Sequence, residues 1–401
     1  MKKNLASLLS MKNDNKIVLL VLDGMGGLPV GGRTELEKAV IPNLDQLAAD
    51  SVCGLSVPIE HGITPGSGPS HLALFGYDPL EYEIGRGVLE ALGVGLKLTA
   101  RDLSARGNFA TADDGGIITD RRAGRISTEK NVEICSALSS KIREIDGIEV
   151  IIKPGKEHRM VVVFRGDNLY GPLTDSDPQR EGLKALTVTP ADEKGVFTAG
   201  IVNKFLAGAN SVLKAFHPAN HLMLRGIDKV PGIPPMSSLY GLKTAAIATY
   251  PMYRGLASLV GMDLLPVAGE TVSDEIDTLK KHYSEYDFFY VHVKKTDSCG
   301  EDGNFDKKVA VLEEVDRLIP SILGLSHSVL AVTADHSTPA LMKGHSWHPN
   351  PFCLHSKYER TDFCSEFSEK EFSKGALGIF YAKHAVNLML AGALKLKKFG
   401  A

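Results

Sequence analysis

The chain has 401 residues, more than one hydrophobic core usually serves, so two domains are expected. A formal net charge of −3 gives no electrostatic ground for nucleic acid or an acidic membrane surface as a standing partner, and any anionic substrate must be met by local cations. Five scattered cysteines (Cys53, Cys135, Cys299, Cys353, Cys364) without CxxC spacing indicate neither a disulfide framework nor a zinc ribbon, and they fit a reducing cytoplasm.

Met1 to Asn15 carries Lys2 and Lys3 before an apolar patch broken by Ser7 and Ser10, and no small-residue cleavage pattern follows, so no signal peptide is expected. Ile17 to Leu22 predicts a strand that ends in Asp23-Gly24-Met25-Gly26. Its apolar run is far shorter than the ~20 residues a membrane crossing needs, and no transmembrane segment is expected. Ile41-Pro42-Asn43 opens a helix through Leu44 to Ala49. Gly62 to His71 is too rich in Gly and Pro for a helix, and it reads as a loop entering one near Pro69. Between residues 97 and 236 the texture turns β-rich, as in Glu149 to Ile152 and Met160 to Phe164. Strand and helix alternate again from Thr244 to Thr249. Asp287 to Val293 then leads to Asp297, and the run from Ser328 to Val332 leads to Thr333-Ala334-Asp335-His336. The expected fold is α/β, with residues 1–96 and 237–401 forming a sheet covered by helices on both faces and residues 97–236 a smaller inserted α+β domain.

Three acids at strand ends can share the sheet edge where α/β folds bind ligands. Asp23, Asp297, Glu301, Asp335, His336 and His345 make six candidate ligands, enough for two divalent metals that each keep an open position. Ser67 lies between Gly66 and Gly68, which let a tetrahedral group approach a helix N-terminus. A serine there either caps the helix or attacks phosphorus with metal assistance, and Thr64 is its rival as nucleophile. Asp120-Arg121-Arg122-Ala123-Gly124-Arg125, His158-Arg159 and Arg225 supply cations suited to a small phosphorylated or carboxylated substrate, whereas Lys395, Lys397 and Lys398 read as a solvated face.

Val21-Leu22-Asp23-Gly24, Thr64-Pro65-Gly66-Ser67-Gly68-Pro69, His71 through Pro79, Asp120 through Arg125, Lys294-Lys295-Thr296-Asp297 and Asp335-His336-Ser337-Thr338-Pro339 resemble the archaeal-type cofactor-independent phosphoglycerate mutases of the alkaline phosphatase superfamily. The resemblance spans nearly the whole chain. It implies an alkaline-phosphatase-like sheet and a phosphoryl group passed from 3-phosphoglycerate to Ser67 and back to the neighbouring hydroxyl, giving 2-phosphoglycerate through a metal-bound phosphoserine without bisphosphoglycerate. Ser67 rather than Thr64 is then the nucleophile. One metal would sit with Asp23, Ser67, Asp335 and His336, the other with Asp297, His345 and position 301. Arg121, Arg122, Arg125 and Arg225 would hold substrate, with His158 and Arg159 beside them and Asp120 as proton shuttle. Glu301 departs from the histidine common at its position. That shifts the expected metals toward manganese or magnesium, with zinc or cobalt possible, and Asp302 competes for the role. Alternatives are a related metal-dependent phosphotransferase, such as an alternative homoserine kinase, or a weakened phosphate-binding homologue.

Overall fold

The computed structural model describes residues 5–325 and 329–400. Lys2, Lys3 and Ser328, used above, lie outside the described residues. In chain order the strands are β1 (Ile17–Leu22), β2 (Val52–Val57), β3 (Asp102–Ala112), β4 (Ile118–Asp120), β5 (Glu144–Ile145), β6 (Ile148–Pro154) and β7 (Arg159–Arg165). They continue with β8 (His221–Lys229), β9 (Thr244–Ala248), β10 (Asp263–Leu264), β11 (Phe288–Val293), β12 (Val329–Thr333), β13 (Asn350–Ser356) and β14 (Gly378–Tyr381).

The chain divides into two compact units, one of residues up to Tyr82 with Ile233 onward, the other Glu83–Gly232. The first unit carries an eight-stranded sheet in the order β10-β9-β11-β1-β12-β13-β2-β14. β1 runs parallel to both neighbours, with Val21 level with His292 on β11 and Thr333 on β12. Every residue of these three strands is buried, as a sheet covered on both faces requires. Alternate residues such as Val18, Leu20 and Leu22 join Leu44, Leu47, Ile276, Leu312 and Phe372 in one core. Because the three strands end at nearly one level, the chain leaves each of them at the same edge.

The second unit is a sheet ordered β4-β3-β7-β6-β5, with β8 also paired to β3. Ile134 and Leu138 of the helix Thr128–Lys141 and Val202, Phe205 and Leu213 of the helix Val196–Leu213 pack with Phe109 and Phe164 in a core of its own. The latter helix is long and apolar enough to cross a membrane by length and composition alone, and the residues just named lie inside the unit.

The split falls after Tyr82, where sequence texture placed it after residue 96. The helix Arg86–Gly93 explains the difference: Ala91 packs against Val161 and Val163 of β7, and Gly87 lies so close to β3 that a Cβ there would fall 2.4 Å from Ser104 O. At the other end, Lys395 is buried rather than solvated, its ammonium donating to Asn13 O at 2.7 Å, whereas Lys397 and Lys398 are exposed. A long aliphatic stem tolerates such a position when its charged end finds a carbonyl.

Candidate active site

In the first unit, the turn after β1 places Asp23, the helix Lys295–Glu301 after β11 places Asp297, and the turn after β12 places Asp335 and His336. All four side chains are buried. His336 Nε2 lies 3.4 Å from Asp23 Oδ1, 3.1 Å from Asp335 Oδ2 and 3.1 Å from Ser67 Oγ. Asp23, Asp335 and His336 form one compact group of ligand atoms, and Asp297, His336 and His345 a second. His345 Nε2 is 3.8 Å from Asp297 Oδ1, and its ring stacks on His336 with centroids 3.6 Å apart. His345 Nδ1 is held against Pro65 O at 2.9 Å, which fixes the ring from behind and couples it to the serine loop.

The electrostatics are those of a cation site. Burial alone raises a carboxyl, yet the His292 bond and the Lys294 ammonium hold Asp23 well below the usual carboxylate range. For Asp335, burial and then repulsion from Asp23 and Asp297 outweigh the Lys294 charge and push it far up. Burial keeps the His336 imidazole neutral, the form that binds metal. Among the described residues, Asp23 Oδ1 and Asp335 Oδ2 are buried without a hydrogen-bond partner. Buried carboxylate oxygens this close, facing a neutral ring nitrogen and a hydroxyl, are costly unless a cation joins them, and the donor set of carboxylate oxygen and imidazole nitrogen suits divalent ions.

Ser67 is the first residue of the helix Ser67–Leu74, two residues before the expected start. Gly66 occupies the cap position without a side-chain cap, and the Ser67 hydroxyl points instead to His336. Thr64 is exposed and lies three residues before that helix begins.

Several contributors carried no assigned role in the sequence. Lys294 donates to Asp23 Oδ2 at 3.1 Å, to Asp297 Oδ2 and to the Tyr253 hydroxyl at 3.1 Å. His71 Nδ1 sits 3.3 Å from Asp335 Oδ2, and Thr338 Oγ1 bridges Asp297 Oδ1 and His336 Nδ1. Buried Lys308 ties Gly26 O, at 3.0 Å, to Thr338 O, at 2.9 Å, joining the two ligand-bearing turns, with Glu35 as its counter-ion at 3.7 Å. His292 stands out as an imidazole inside the otherwise apolar and aromatic run of β11, and Lys294 stands in the Lys-Lys-Thr-Asp run. Lys308 has no local signal, since only tertiary structure buries it.

Glu301 stands outside both ligand groups, with its side chain exposed at the end of its helix. Partial desolvation and the Asp297 charge nonetheless raise its carboxyl, and His345 also acts on it. Asp302 likewise joins no group.

The second unit holds a cavity of about 230 Å³ lined by Arg106, Asn108, Arg121, Arg122, Arg125, Glu157, His158, Arg159 and Arg225. Six guanidiniums against one carboxylate in that lining make it an anion site. Arg121 is already paired with Asp177 through bonds of 3.0 and 2.7 Å, and Arg225 leans on Asp175 at 3.4 Å. Arg106, on β3 and away from the arginine cluster in sequence, has a buried Nε without a partner among the described residues. His158 is pushed down to about 4, first by burial and then by Arg159, so it stays neutral among the arginines. Asp120 does not line this cavity: its carboxylate accepts the Arg122 N–H at 2.7 Å and the Gly124 N–H at 2.6 Å. Those bonds shape the turn that presents the arginines.

A family model described as 2,3-bisphosphoglycerate-independent phosphoglycerate mutase matches residues 48–220. The "probable 2,3-bisphosphoglycerate-independent phosphoglycerate mutase" of Aquifex aeolicus is 51% identical, with 97% of this chain and 98% of that protein covered. The Thermus thermophilus protein of the same name is 49% identical, with 98% of each chain covered. Among solved structures, the cofactor-independent phosphoglycerate mutase of Thermoplasma acidophilum is similar at TM-score 0.76 and 33% identity, covering 94% of this chain and 100% of that one. A Pyrococcus horikoshii protein is similar at TM-score 0.81 and 29% identity, covering 97% and 100%. With half its residues shared across the full length of such relatives, the chain belongs to the family of 2,3-bisphosphoglycerate-independent phosphoglycerate mutases.

Proposed function

We propose that this protein interconverts 3-phosphoglycerate and 2-phosphoglycerate through a phosphoserine at Ser67, without bisphosphoglycerate. The observation that carries the reading is the Ser67 hydroxyl, free of capping duty and 3.1 Å from His336 Nε2 within a nest of buried acids. Asp23, Asp335 and His336, with Ser67, would hold one divalent ion, and Asp297 and His345, with His336 close by, a second. When bound, such ions neutralise phosphoryl oxygens and ease ionisation of a hydroxyl. Oxygen-rich donors favour manganese or magnesium.

In the forward direction Ser67 Oγ forms a bond to phosphorus as the bond from phosphorus to the 3-oxygen of glycerate breaks. The 2-hydroxyl then attacks the same phosphorus, breaking its bond to Ser67 Oγ and restoring the serine. Backbone N–H groups at the start of the helix Ser67–Leu74 face the anion. Lys294 supplies a fixed positive charge beside Asp23 and Asp297, which limits their repulsion of an incoming phosphate. A phosphoglycerate carries both a phosphate and a carboxylate, and the arginine cavity offers forks for either. We leave Asp120 to its turn and assign it no proton transfer.

The test is full-length protein with manganese and 3-phosphoglycerate, read through enolase with neither bisphosphoglycerate nor ATP. Phosphoenolpyruvate production at a rate set by enzyme concentration is expected. No turnover until ATP is added would instead support a phosphotransferase, and binding of phosphoglycerate without turnover a weakened homologue.

A further inference from the structure

Three of the five cysteines gather on one side of the first unit's sheet, where the phosphoryl-transfer reading has no use for them. β13 runs antiparallel to β2 with Cys353 directly opposite Cys53, so both thiols point to the same face. The segment after β13 brings Asp362 and Cys364 to that place. Cys53 Sγ, a carboxylate oxygen of Asp362 and Cys364 Sγ all lie within 4.8 Å of one another. The Cys53 thiol is in hydrogen-bonding contact with Cys353 on one side and Cys364 on the other.

Asp362 is held in place by its own backbone surroundings. Its oxygens accept the N–H groups of Cys53 at 2.7 Å, Cys364 at 3.0 Å and Ala376 at 3.0 Å. The three thiols are buried in apolar surroundings while Asp362 is partly exposed, so the carboxylate marks a way in from solvent.

We propose that Cys53, Cys364 and Asp362 form a metal site separate from the catalytic acids, taking one thiophilic divalent ion of the zinc class, with Cys353 as an adjacent third thiol. Two sulfurs and one oxygen at this spacing match a tetrahedral zinc-type ion, whose bonds to sulfur are ~2.3 Å, and leave one position for Cys353 or water. The ion displaces one proton from each ligating thiol, so binding releases two protons and changes no oxidation state. The Cys353 hydrogen bond and then burial push the Cys53 thiol up, and burial pushes Cys364 to about 12, which makes both poor nucleophiles toward an oxidant. A metal overcomes that by deprotonating the thiol it binds. A bound ion would staple the segment around Asp362 to β2.

The test uses the full chain and two probes. Cadmium added to reduced protein is expected to give an ultraviolet sulfur-to-metal charge-transfer band that saturates at a single ion per chain. Oxygen and imidazole ligands of the catalytic acids cannot produce that band. Cys364→Ala should abolish it, and Cys135→Ala, in the other unit, should retain it. X-ray absorption of zinc-loaded wild type reads sulfur neighbours directly and does not depend on any variant folding. A sulfur shell at ~2.3 Å supports the site. Absence of sulfur neighbours in the wild type, or a band that survives in folded Cys364→Ala, overturns it.

Discussion

Because the Ser67 hydroxyl bonds His336 and not a helix N–H, its removal tests chemistry at little cost to the fold. Ser67→Ala is expected to abolish turnover while changing stability by ~1 kcal/mol, the scale of one hydrogen bond. The enolase-coupled assay beside a thermal melt checks both halves, and near-normal turnover removes Ser67 as nucleophile. The two acids of the helix Lys295–Glu301 separate by degree. Asp297 touches Lys294, Thr338 and His345, whereas Glu301 is exposed and outside the ligand groups. Asp297→Ala should therefore eliminate the second divalent ion, and Glu301→Ala should only weaken it. Titration with manganese, followed by calorimetry, decides between them, and equal losses would make Glu301 a ligand in its own right. Among the described residues, Arg106 and Arg122 carry no carboxylate partner comparable to the Asp177 clamp on Arg121. Truncating a charge contact that bound substrate buries costs ~2–5 kcal/mol, so Arg106→Ala and Arg122→Ala should raise KM or depress kcat strongly. Unchanged kinetics in both would leave the cavity without a substrate role.

Elements whose signal is local were readable from sequence. β1, β11 and β12 announce themselves as short apolar runs ending in acids, and the structure sets them side by side and parallel, which is why Asp23, Asp297 and Asp335 converge. Lys308 and Arg106 were not readable as site residues, because each is brought to its place by tertiary packing and stands in no motif of its own, and His71, though it opens a motif, is set against Asp335 only by packing. Lys395 was misread for the complementary reason: the partner that defines it, Asn13 O, is invisible in composition. The helix Val272–His282 adds a pH effect of this hidden kind. It buries Glu275, which accepts from the Thr249 hydroxyl at 3.2 Å, and desolvation raises the carboxyl to about 8. Folding thus keeps a proton that the unfolded chain has lost, so this group's stabilisation is full below about 4.5 and is lost as pH rises toward 8. The slope at its steepest is ~1.4 kcal/mol per pH unit. Glu275→Gln should flatten the decline, as measured by urea unfolding across that window, and parallel wild-type and variant profiles would show that Glu275 titrates normally.

At the level of the whole molecule, the position of the inserted unit in the chain follows from where its ends lie. It enters at Glu83 and leaves at Gly232, and Gly85 is so near β8 that a Cβ there would fall 2.8 Å from Asp228 Cβ. An insertion whose ends are neighbours can be accommodated in a loop of its host without pulling the host strands apart, so each part keeps a complete core. Phe109, Phe164, Phe205 and Leu213 are fully buried by residues of the same unit, and the arginine cavity is lined wholly from within it. Residues 83–232 expressed alone should therefore fold cooperatively and bind 3-phosphoglycerate weakly, with affinity that falls as salt is added, since fixed guanidinium charge supplies the attraction. Calorimetric melting and chemical-shift changes at the arginine side chains measure the two claims. A folded unit that ignores phosphoglycerate would confine recognition to the acid-lined site of the other unit, and a chain that fails to fold would show that the core, though built from its own residues, cannot stand without its host.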